Sequence, residues 1–286
     1  MAPGWPGCCW TLACGCSEVD RPDRKLRRQR GKSDPIDAEA AARAVLAGTA
    51  TALPKRRDGI VEAIRVLRSV RASAIKARTA AINQLKALLV TAPAGLREPL
   101  EGCSTAQQVT ACARLRPVEG QLADPVQATK AALRAAARRI QALQAEIQRA
   151  DQRLATLVAM AAPRTMAVFA IGVDHAGQLL TTAGDNPQRL RGEASFAHLC
   201  GTAPIPASSG RTNRHRLHRG GDRDANRALH LAVVVRMRHC PRTRAYVERR
   251  TKDGLSKPEI MRCVKRYLAR EVYHALVADL EALHAT

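Results

Sequence analysis

The sequence predicts a mainly α-helical protein, because apolar residues recur at helical spacing through most of its length. Between residues 59 and 90 they form one stripe, at Ile64, Leu67, Ala74, Ile82, Leu85 and Leu89. Between residues 127 and 158 they form a second stripe, at Leu133, Ile140, Leu143, Ile147, Leu154 and Leu157. Three further helical patterns lie near the C-terminus, in residues 223–239, 241–250 and 257–283.

The two striped segments predict the arms of an antiparallel helical hairpin, of the coiled-coil type, within residues 59–160. The Pro, Gly and polar residues between the arms, TAPAGLREPLEG and then RPVEG, would turn the chain around. Such a hairpin is more often a spacer or a dimerisation element than a catalytic one. Residues 165–286 are denser and mixed in pattern, which predicts a compact helical C-terminal domain.

The first fifty residues divide into parts of different composition. Residues 1–19 combine Cys, Gly, Pro and both Trp without a helical or strand period, so we expect them to be disordered or adventitious. A basic run, RPDRKLRRQR, follows them. The segment AEAAARAVLAG comes after Asp34, Pro35 and Asp37, and its Ala and Leu content and final Gly48 predict a helix.

The chain is strongly basic, with 47 Lys and Arg against 25 Asp and Glu and a formal net charge of +22. Such a charge draws a protein toward polyanions, so nucleic acid is the expected partner. A GC-rich genome would raise the number of arginines, but it would not concentrate them in residues 211–227. Aromatic residues make up only 2% of the chain, too few for stacking platforms, so contacts to the phosphate backbone should dominate.

Cysteine usage and hydropathy exclude other classes of protein. The nine cysteines include no C-x-x-C pair, which favours reduced cytosolic thiols over a metal site. No apolar run approaches the roughly twenty residues of a membrane span, and the chain does not begin with the order of a signal peptide. These features predict a soluble, cytoplasmic protein that has no membrane partner.

Asp34 and Asp37 allow two interpretations. They are three residues apart, so on one helix their carboxylates would share a face and could hold one divalent metal ion. Alternatively, Asp34 caps the helix, Pro35 is its first residue and Asp37 lies in the first turn, where the helix dipole favours an acid. Spacing alone favours the capping interpretation.

Ser208 and Ser209 stand before six clustered arginines. These are Arg211, Arg214, Arg216, Arg219, Arg223 and Arg227. A serine needs a base or strong electrostatic activation to act as a nucleophile, and clustered arginines can stabilise a pentavalent phosphoryl transition state. In the plainer interpretation, which composition alone favours, the serines form a turn and the arginines contact DNA phosphates.

The stretch VFAIGVDHAGQLLTTAGD has the apolar and small-residue rhythm of a helix-hairpin-helix. In that motif, backbone amides between two short helices contact a phosphate. An ordinary turn between helices fits the same spacing, so both interpretations stay open.

Two separated segments carry several motifs in a definite order. The first is GKSDPIDAEAAARAVLAG, which matches the pattern K-[ST]-D-x-x-D-A-x-x-[LA]-A. The second runs from about Val168 to Tyr246 and contains G-V, F-A-x-x-x-G-x-x-P, S-G, an arginine-rich strip, N-R-A-L and P-R-x-x-A-Y. In this order the motifs resemble those of the insertion sequence 110 family of transposases. The resemblance covers most of the chain from about Asp20 onward.

This resemblance implies a DNA recombinase that has a RuvC-like α/β nuclease domain of the DEDD type and a serine-bearing C-terminal domain. Asp34 and Asp37 match the third and fourth acids of the DEDD quartet, which binds Mg²⁺ for two-metal phosphoryl chemistry. Ser209, directly before Gly210, matches the serine proposed to attack the DNA backbone and form a covalent phosphoserine link. The arginine strip would lie against DNA. The family further implies homo-oligomers that work with a structured guide RNA encoded by the element.

The chain departs from the family pattern in two places. No strand segments carrying the first Asp and the Glu precede Gly31, so we expect an N-terminal deletion, a frameshift or a misplaced start. Residues 20–50 would then be a remnant of the nuclease domain that docks on the hairpin or is mobile. Asp174 also stands where the helix-hairpin-helix turn of the family usually has a second glycine.

The sequence therefore predicts an insertion-sequence transposase that binds, cleaves and rejoins DNA but is impaired by the loss of half of its metal site. We expect this polypeptide to bind nucleic acid without completing transposition alone, in the bacterial cytoplasm and on the nucleoid. The alternative is a nucleic-acid-binding remnant without catalysis. A coiled-coil scaffold is a third class, which the charge of the chain disfavours.

Overall fold

The computed structural model describes residues 17–19, 28–29, 31, 33–211 and 215–285, and this part of the chain is mainly helical. The prediction of fold class is therefore confirmed. The helices are α1 (Asp34–Leu46), α2 (Ile60–Val90), α3 (Ala94–Arg97), α4 (Thr105–Ala113), α5 (Pro125–Ala161), α6 (Pro163–Ala167), α7 (Val173–Ala183), α8 (Glu193–Leu199), α9 (Arg223–His239), α10 (Pro241–Lys252) and α11 (Lys257–Ala285). Two short strands, β1 (Ile205–Pro206) and β2 (His215–Arg216), form a two-stranded sheet.

The described chain forms two compact units, of which the second is Arg65–Leu157 and the first contains the remaining residues. The RuvC-like remnant predicted for residues 20–50 stays a prediction, because this region contributes the single helix α1 and many of its residues lie outside the described ones. Residues 1–16, predicted to be disordered, also lie outside the described residues. None of the helices that the structure describes is long and apolar enough to cross a membrane.

In the second unit, α2 and α5 run antiparallel. Arg71 contacts Asp151. Arg78, which lies closer to the end of α2, contacts Gln144, which lies closer to the start of α5. The facing sides of the two helices bury most of the residues of the predicted apolar stripes, because a helix surrounded by water on its other sides gains stability mainly from burying its apolar face. The half-buried members are Leu67, Ile82, Leu143 and Leu157.

The end of this hairpin is closed by a helix that the turn-forming residues did not predict. The side chain of Ser104 accepts a hydrogen bond from the backbone N–H of Gln107, whose side chain accepts one from the Ser104 N–H. This capping box starts α4, which buries Val109 and Cys112 against the apolar faces of α2 and α5. The S-x-x-Q signature of a capping box is present in the sequence, but the neighbouring Pro and Gly residues favoured a turn over a helix.

In the first unit, α11 is the central helix and packs against α6, α8, α9 and α10. It buries an apolar face that includes Leu268, Val272 and Leu276. Helix α9 begins and ends where the sequence predicted, at residues 223 and 239. Phe196 of α8 is fully buried, and its ring lies 6.0 Å from that of Tyr273 of α11. Close packing around α11 therefore fixes the positions of α8 and α9, the helices that flank the arginine-rich segment.

The segment that follows α1 is bound within the first unit. The Lys55 Nζ donates to the backbone carbonyl of Thr181 at 2.5 Å, and Arg191 Nη2 donates to the carbonyl of Thr51 at 2.7 Å. Burial lowers the pKa of Lys55, and the nearby Arg189 guanidinium lowers it further. Helix α1 itself buries no residue, so these contacts of residues 51–55 hold this end of the chain in place.

Candidate nucleic-acid interface

A short β-hairpin carries the serine that the sequence singled out. Ile205 pairs with Arg216 and Pro206 with His215 in antiparallel register, and we call residues 205–211 and 215–216 the β arm. Ser209 lies beyond the β1 end of the ladder and is exposed to solvent. Gly210 follows it with a φ of +55°, a left-handed conformation that glycine adopts without strain. The S-G motif therefore places a hydroxyl on the exposed tip of the β arm.

The arginine strip runs from this tip into α9. Its described members are all exposed, and their guanidinium groups make no hydrogen bond or ion pair with another described residue: Arg211, Arg216, Arg219, Arg223 and Arg227. Arg214 lies outside the described residues. An arginine without an acidic neighbour keeps its donors available for phosphate oxygens. The strip is thus a row of positive charges open to an anionic ligand.

A turn fixes the base of this strip against α8. The backbone N–H of Asp222 donates to the carbonyl of Leu199 at 2.7 Å, and the Thr182 hydroxyl donates to the Asp222 carboxylate at 2.7 Å. The same carboxylate accepts from the backbone N–H groups of Asp224 and Ala225, which caps α9. One side chain therefore starts the helix and ties it to α7.

The N-R-A-L motif has a structural residue and an exposed one. Asn226 is partly buried, and its Nδ2 donates to the carbonyls of Cys200 and Gly201, both at 2.9 Å. Its Oδ1 accepts from the buried Lys265 Nζ at 3.1 Å. Burial lowers the pKa of Lys265, and the neighbouring Arg262 lowers it further. Arg227, the next residue, points its charge to solvent.

A cleft of about 870 Å³ lies beside the β arm. One wall is made of residues 201–204 and 215–218, and the other comes from the end of α10 and the first half of α11. The basic residues that line it are Arg216, Arg250, Arg262, Lys265 and Arg266. Sequence reasoning missed the residues of α10 and α11. The spacing of Arg262 and Arg266 could have indicated them, because residues four apart on a helix lie on one face of it.

The two predicted metal ligands lie at the start of α1. The N-cap position of this helix is occupied by Ser33, with extended backbone and no capping hydrogen bond from its side chain, so the prediction that Asp34 is the cap is wrong by one position. Asp34 is the first helical residue, with Pro35 after it, and Asp37 lies in the first turn, where the helix dipole favours both acids. Asp34 is exposed and Asp37 is half-buried.

Carboxylate oxygens are the ligands that Mg²⁺ prefers, and it is often held by one or two of them together with substrate phosphates. Asp34 and Asp37 match that donor type. Within residues 33–211 and 215–285 and the few described residues before them, no group of three or more His, Cys, Asp or Glu is placed to hold a metal ion.

The stretch predicted as a helix-hairpin-helix, residues 168–185, contains the turn at residues 168–172 and the helix α7, and α6 ends directly before it. Gly172 caps α7 and Asp174 lies in its first turn, where its negative charge opposes an approaching phosphate. The carbonyl of Phe169 in the turn accepts from Arg236 Nε at 3.0 Å, and Arg236 forms a two-bond ion pair with Glu271. Within the first unit, Arg236 is thus a structural member of an arginine-rich helix.

Two family models match this chain. The model described as "Transposase IS116/IS110/IS902 family" matches residues 162–248, which include the β arm, the arginine strip and most of α10. A DEDD transposase model of the IS110 type, described as "Transposase", matches residues 18–92, which include Asp34 and Asp37. No curated protein matches the chain.

Proposed function

This chain belongs to the insertion sequence 110 family of transposases, and from that premise we propose that it grips DNA with the arginine strip and attacks a DNA strand with Ser209. The family implies that DNA is the ligand. The observation that carries the proposal is that the described arginines of the strip are exposed, make no ion pair with another described residue and are continuous with the tip that holds Ser209. A DNA backbone lying along the strip would pass that hydroxyl.

In the proposed reaction, the Oγ of Ser209 attacks the phosphorus of a DNA phosphodiester. A bond from Oγ to phosphorus forms, the bond from phosphorus to one of its sugar oxygens breaks, and that oxygen takes up a proton while the serine loses one. Neighbouring guanidinium groups stabilise the additional negative charge of the pentavalent transition state. The product is a phosphoserine link, whose reversal onto another strand end would rejoin the DNA.

A DEDD transposase generally uses a divalent metal ion, and for this chain we propose that Asp34 and Asp37 supply carboxylate ligands to Mg²⁺. When bound, the ion would offset negative charge on phosphoryl oxygens. We further propose a homo-oligomer that works with a structured guide RNA at the bacterial nucleoid. Family membership and the net charge of +22 support these proposals.

A nucleic-acid-binding protein without catalysis is the second candidate function. The same exposed arginines favour it, because phosphate contacts by themselves provide most of the affinity of nonspecific DNA binding. The two candidates differ in one observable, the covalent link between Ser209 and DNA.

For the first test, we expect the full chain with duplex DNA from the ends of its element and Mg²⁺ to give a protein–DNA adduct that survives denaturing electrophoresis. Ser209→Ala should abolish the adduct and leave duplex affinity unchanged, because a hydroxyl contributes little to phosphate binding. Ser208→Ala is the matched control and should retain the adduct. Intact binding without any adduct would favour the second candidate, and complete strand exchange by this chain alone would contradict the expected impairment.

The strip can be tested without catalysis. We expect Arg219→Ala combined with Arg223→Ala to weaken duplex binding and to reduce the slope of log K against log salt by about 0.9 for each phosphate that the strip no longer neutralises. Fluorescence anisotropy at several salt concentrations measures both quantities. The control also removes two positive charges, by Arg97→Ala combined with Arg139→Ala in the second unit, where Arg97 pairs with Glu101 at 3.2 Å and Arg139 contacts Gln84 at 3.4 Å. An equal loss of affinity in the control would mean that total charge, and not the strip, controls binding.

A further inference from the structure

The cleft beside the β arm has the size of a pocket for a small molecule. Its volume of about 870 Å³ lies within the range of about 300–1,000 Å³ that is usual for ligand pockets. A nucleotide fits such a space, whereas a double helix, with a major groove alone about 12 Å wide, does not. A ligand of this cleft is therefore a small molecule or a single nucleotide of a nucleic-acid strand.

The lining of the cleft favours an anion. Four arginines and one lysine line the cleft together with one acidic residue, Glu259, whose carboxylate already accepts from the backbone and hydroxyl of Ser256 at 2.9 and 2.6 Å. Two of the arginines are paired with acids outside the lining, Arg250 with Asp253 at 3.0 Å and Arg266 with Glu193 at 3.5 Å. Arg216 makes no ion pair with another described residue. Arg262 reaches Glu259 only at 4.0 Å. Both guanidinium groups can thus turn to a phosphate without breaking a short ion pair.

An exposed aromatic ring stands at the same cleft. The whole chain has only two Trp, three Tyr and two Phe, yet Tyr267 lines the cleft with 59% of its surface exposed. The half-buried Tyr246 supports it edge to face, with ring centroids 5.6 Å apart and planes at 84°. A ring held in place and more than half exposed is a surface on which a base can stack.

From these three features we propose that the cleft binds one unpaired nucleotide of a nucleic-acid strand, with phosphate oxygens on Arg216 and Arg262 and the base on Tyr267. The proposal deepens the proposed function and rests on it, because β2 of the β arm forms one wall of the cleft. Taking one base out of its stack costs free energy, which contacts with the ring and the arginines offset.

The test uses the full chain and short labelled oligonucleotides in fluorescence anisotropy. The probes are a single DNA strand, the same strand with abasic sites, the RNA strand of that sequence and the matched DNA duplex. We expect Tyr267→Ala to weaken binding of the single strand by about 5- to 150-fold, the usual effect of removing a base-stacking ring. Binding of the abasic strand and of the duplex should not change, because neither offers an unpaired base.

Matched variants separate stacking from loss of folding. Leu122→Ala removes another exposed apolar side chain, 43% exposed and outside the cleft, and should leave every affinity unchanged. Tyr267→Trp should retain binding of the single strand. Arg262→Ala should weaken binding of the intact and abasic strands alike and lower the salt slope for single strands by about 0.7.

The outcomes distinguish this proposal from the function on which it rests. If Tyr267→Ala weakens neither the DNA nor the RNA strand, or weakens the abasic strand equally, the nucleotide site is wrong. Duplex binding that depends on Arg219 and Arg223 would still stand in that case. Weakening with only one of the two strands identifies DNA or RNA as the source of the nucleotide.

Discussion

Gly221→Ala is expected to lower the free energy of unfolding by more than about 3 kcal/mol and to weaken DNA binding. Gly221 has a φ of +84°, and holding a residue with a side chain in such a conformation costs about 1–3 kcal/mol. A Cβ at this position would also stand 2.6 Å from the carbonyl oxygen of His198 and 2.7 Å from that of Leu199. These are backbone atoms at the end of α8, so neither can move aside without disturbing the helix.

The clash would act on function as well as on stability. Gly221 directly precedes Asp222, whose hydrogen bonds to Leu199 and Thr182 hold the arginine strip on the first unit. Displacing this turn would displace Arg219 and Arg223 on either side of it. We therefore expect duplex affinity to fall in Gly221→Ala even under conditions where the chain remains folded.

Gly254→Ala is the matched control. Gly254 has almost the same φ, +83°, but a Cβ there would meet no atom within 4 Å. Its cost should be that of the backbone conformation alone, about 1–3 kcal/mol. Denaturant unfolding of the two variants gives the difference that is due to the clash. Equal losses of stability would refute the close packing of the 221 turn against α8.

Asp279→Ala is expected to have the second large effect, a loss of about 3 kcal/mol or more in the free energy of unfolding. Asp279 of α11 is 2% exposed, and its carboxylate accepts from the backbone N–H of Arg164 at 3.1 Å and from the backbone N–H and hydroxyl of Thr165, both at 2.8 Å. Alanine leaves these donors without their acceptor, and each buried donor left unsatisfied costs about 1–3 kcal/mol.

Asp253→Ala provides the comparison with an acidic residue at the surface. Asp253 pairs with Arg250 at 3.0 Å, and its side chain is 46% exposed. Exposed ion pairs contribute about 0–1 kcal/mol, so this variant should unfold almost as the unchanged chain does. Thermal and denaturant unfolding measure both variants. A small effect of Asp279→Ala, similar to that of Asp253→Ala, would mean that water replaces the carboxylate at the start of α6.

Local sequence pattern was sufficient for the helices and for the basic surface. The apolar stripes of α2 and α5 were predicted because a helix that packs on one side repeats its apolar residues along the chain, and this repeat is visible without any partner. The strip of arginines was predicted for a related reason, since clustering in sequence keeps charges together in space. The motifs that contain Asp34 and Ser209 were likewise recognised from the order of residues alone.

The sequence did not predict features that depend on partners distant along the chain. Arg236 and Arg219 lie in the same arginine-rich region, yet the side chain of Arg236 is only 11% exposed and is paired with Glu271, whereas Arg219 is exposed. No property of either residue reveals this difference.

The sequence by itself determined the helical class, the family motifs and the positive charge, because each of these depends on neighbours along the chain. Only the tertiary structure decided that Arg262 and Tyr267 of α11 meet Arg216 of the β arm in one cleft. Contacts of this kind form when packing against a shared core brings separate elements together, and that packing is a property of the whole chain.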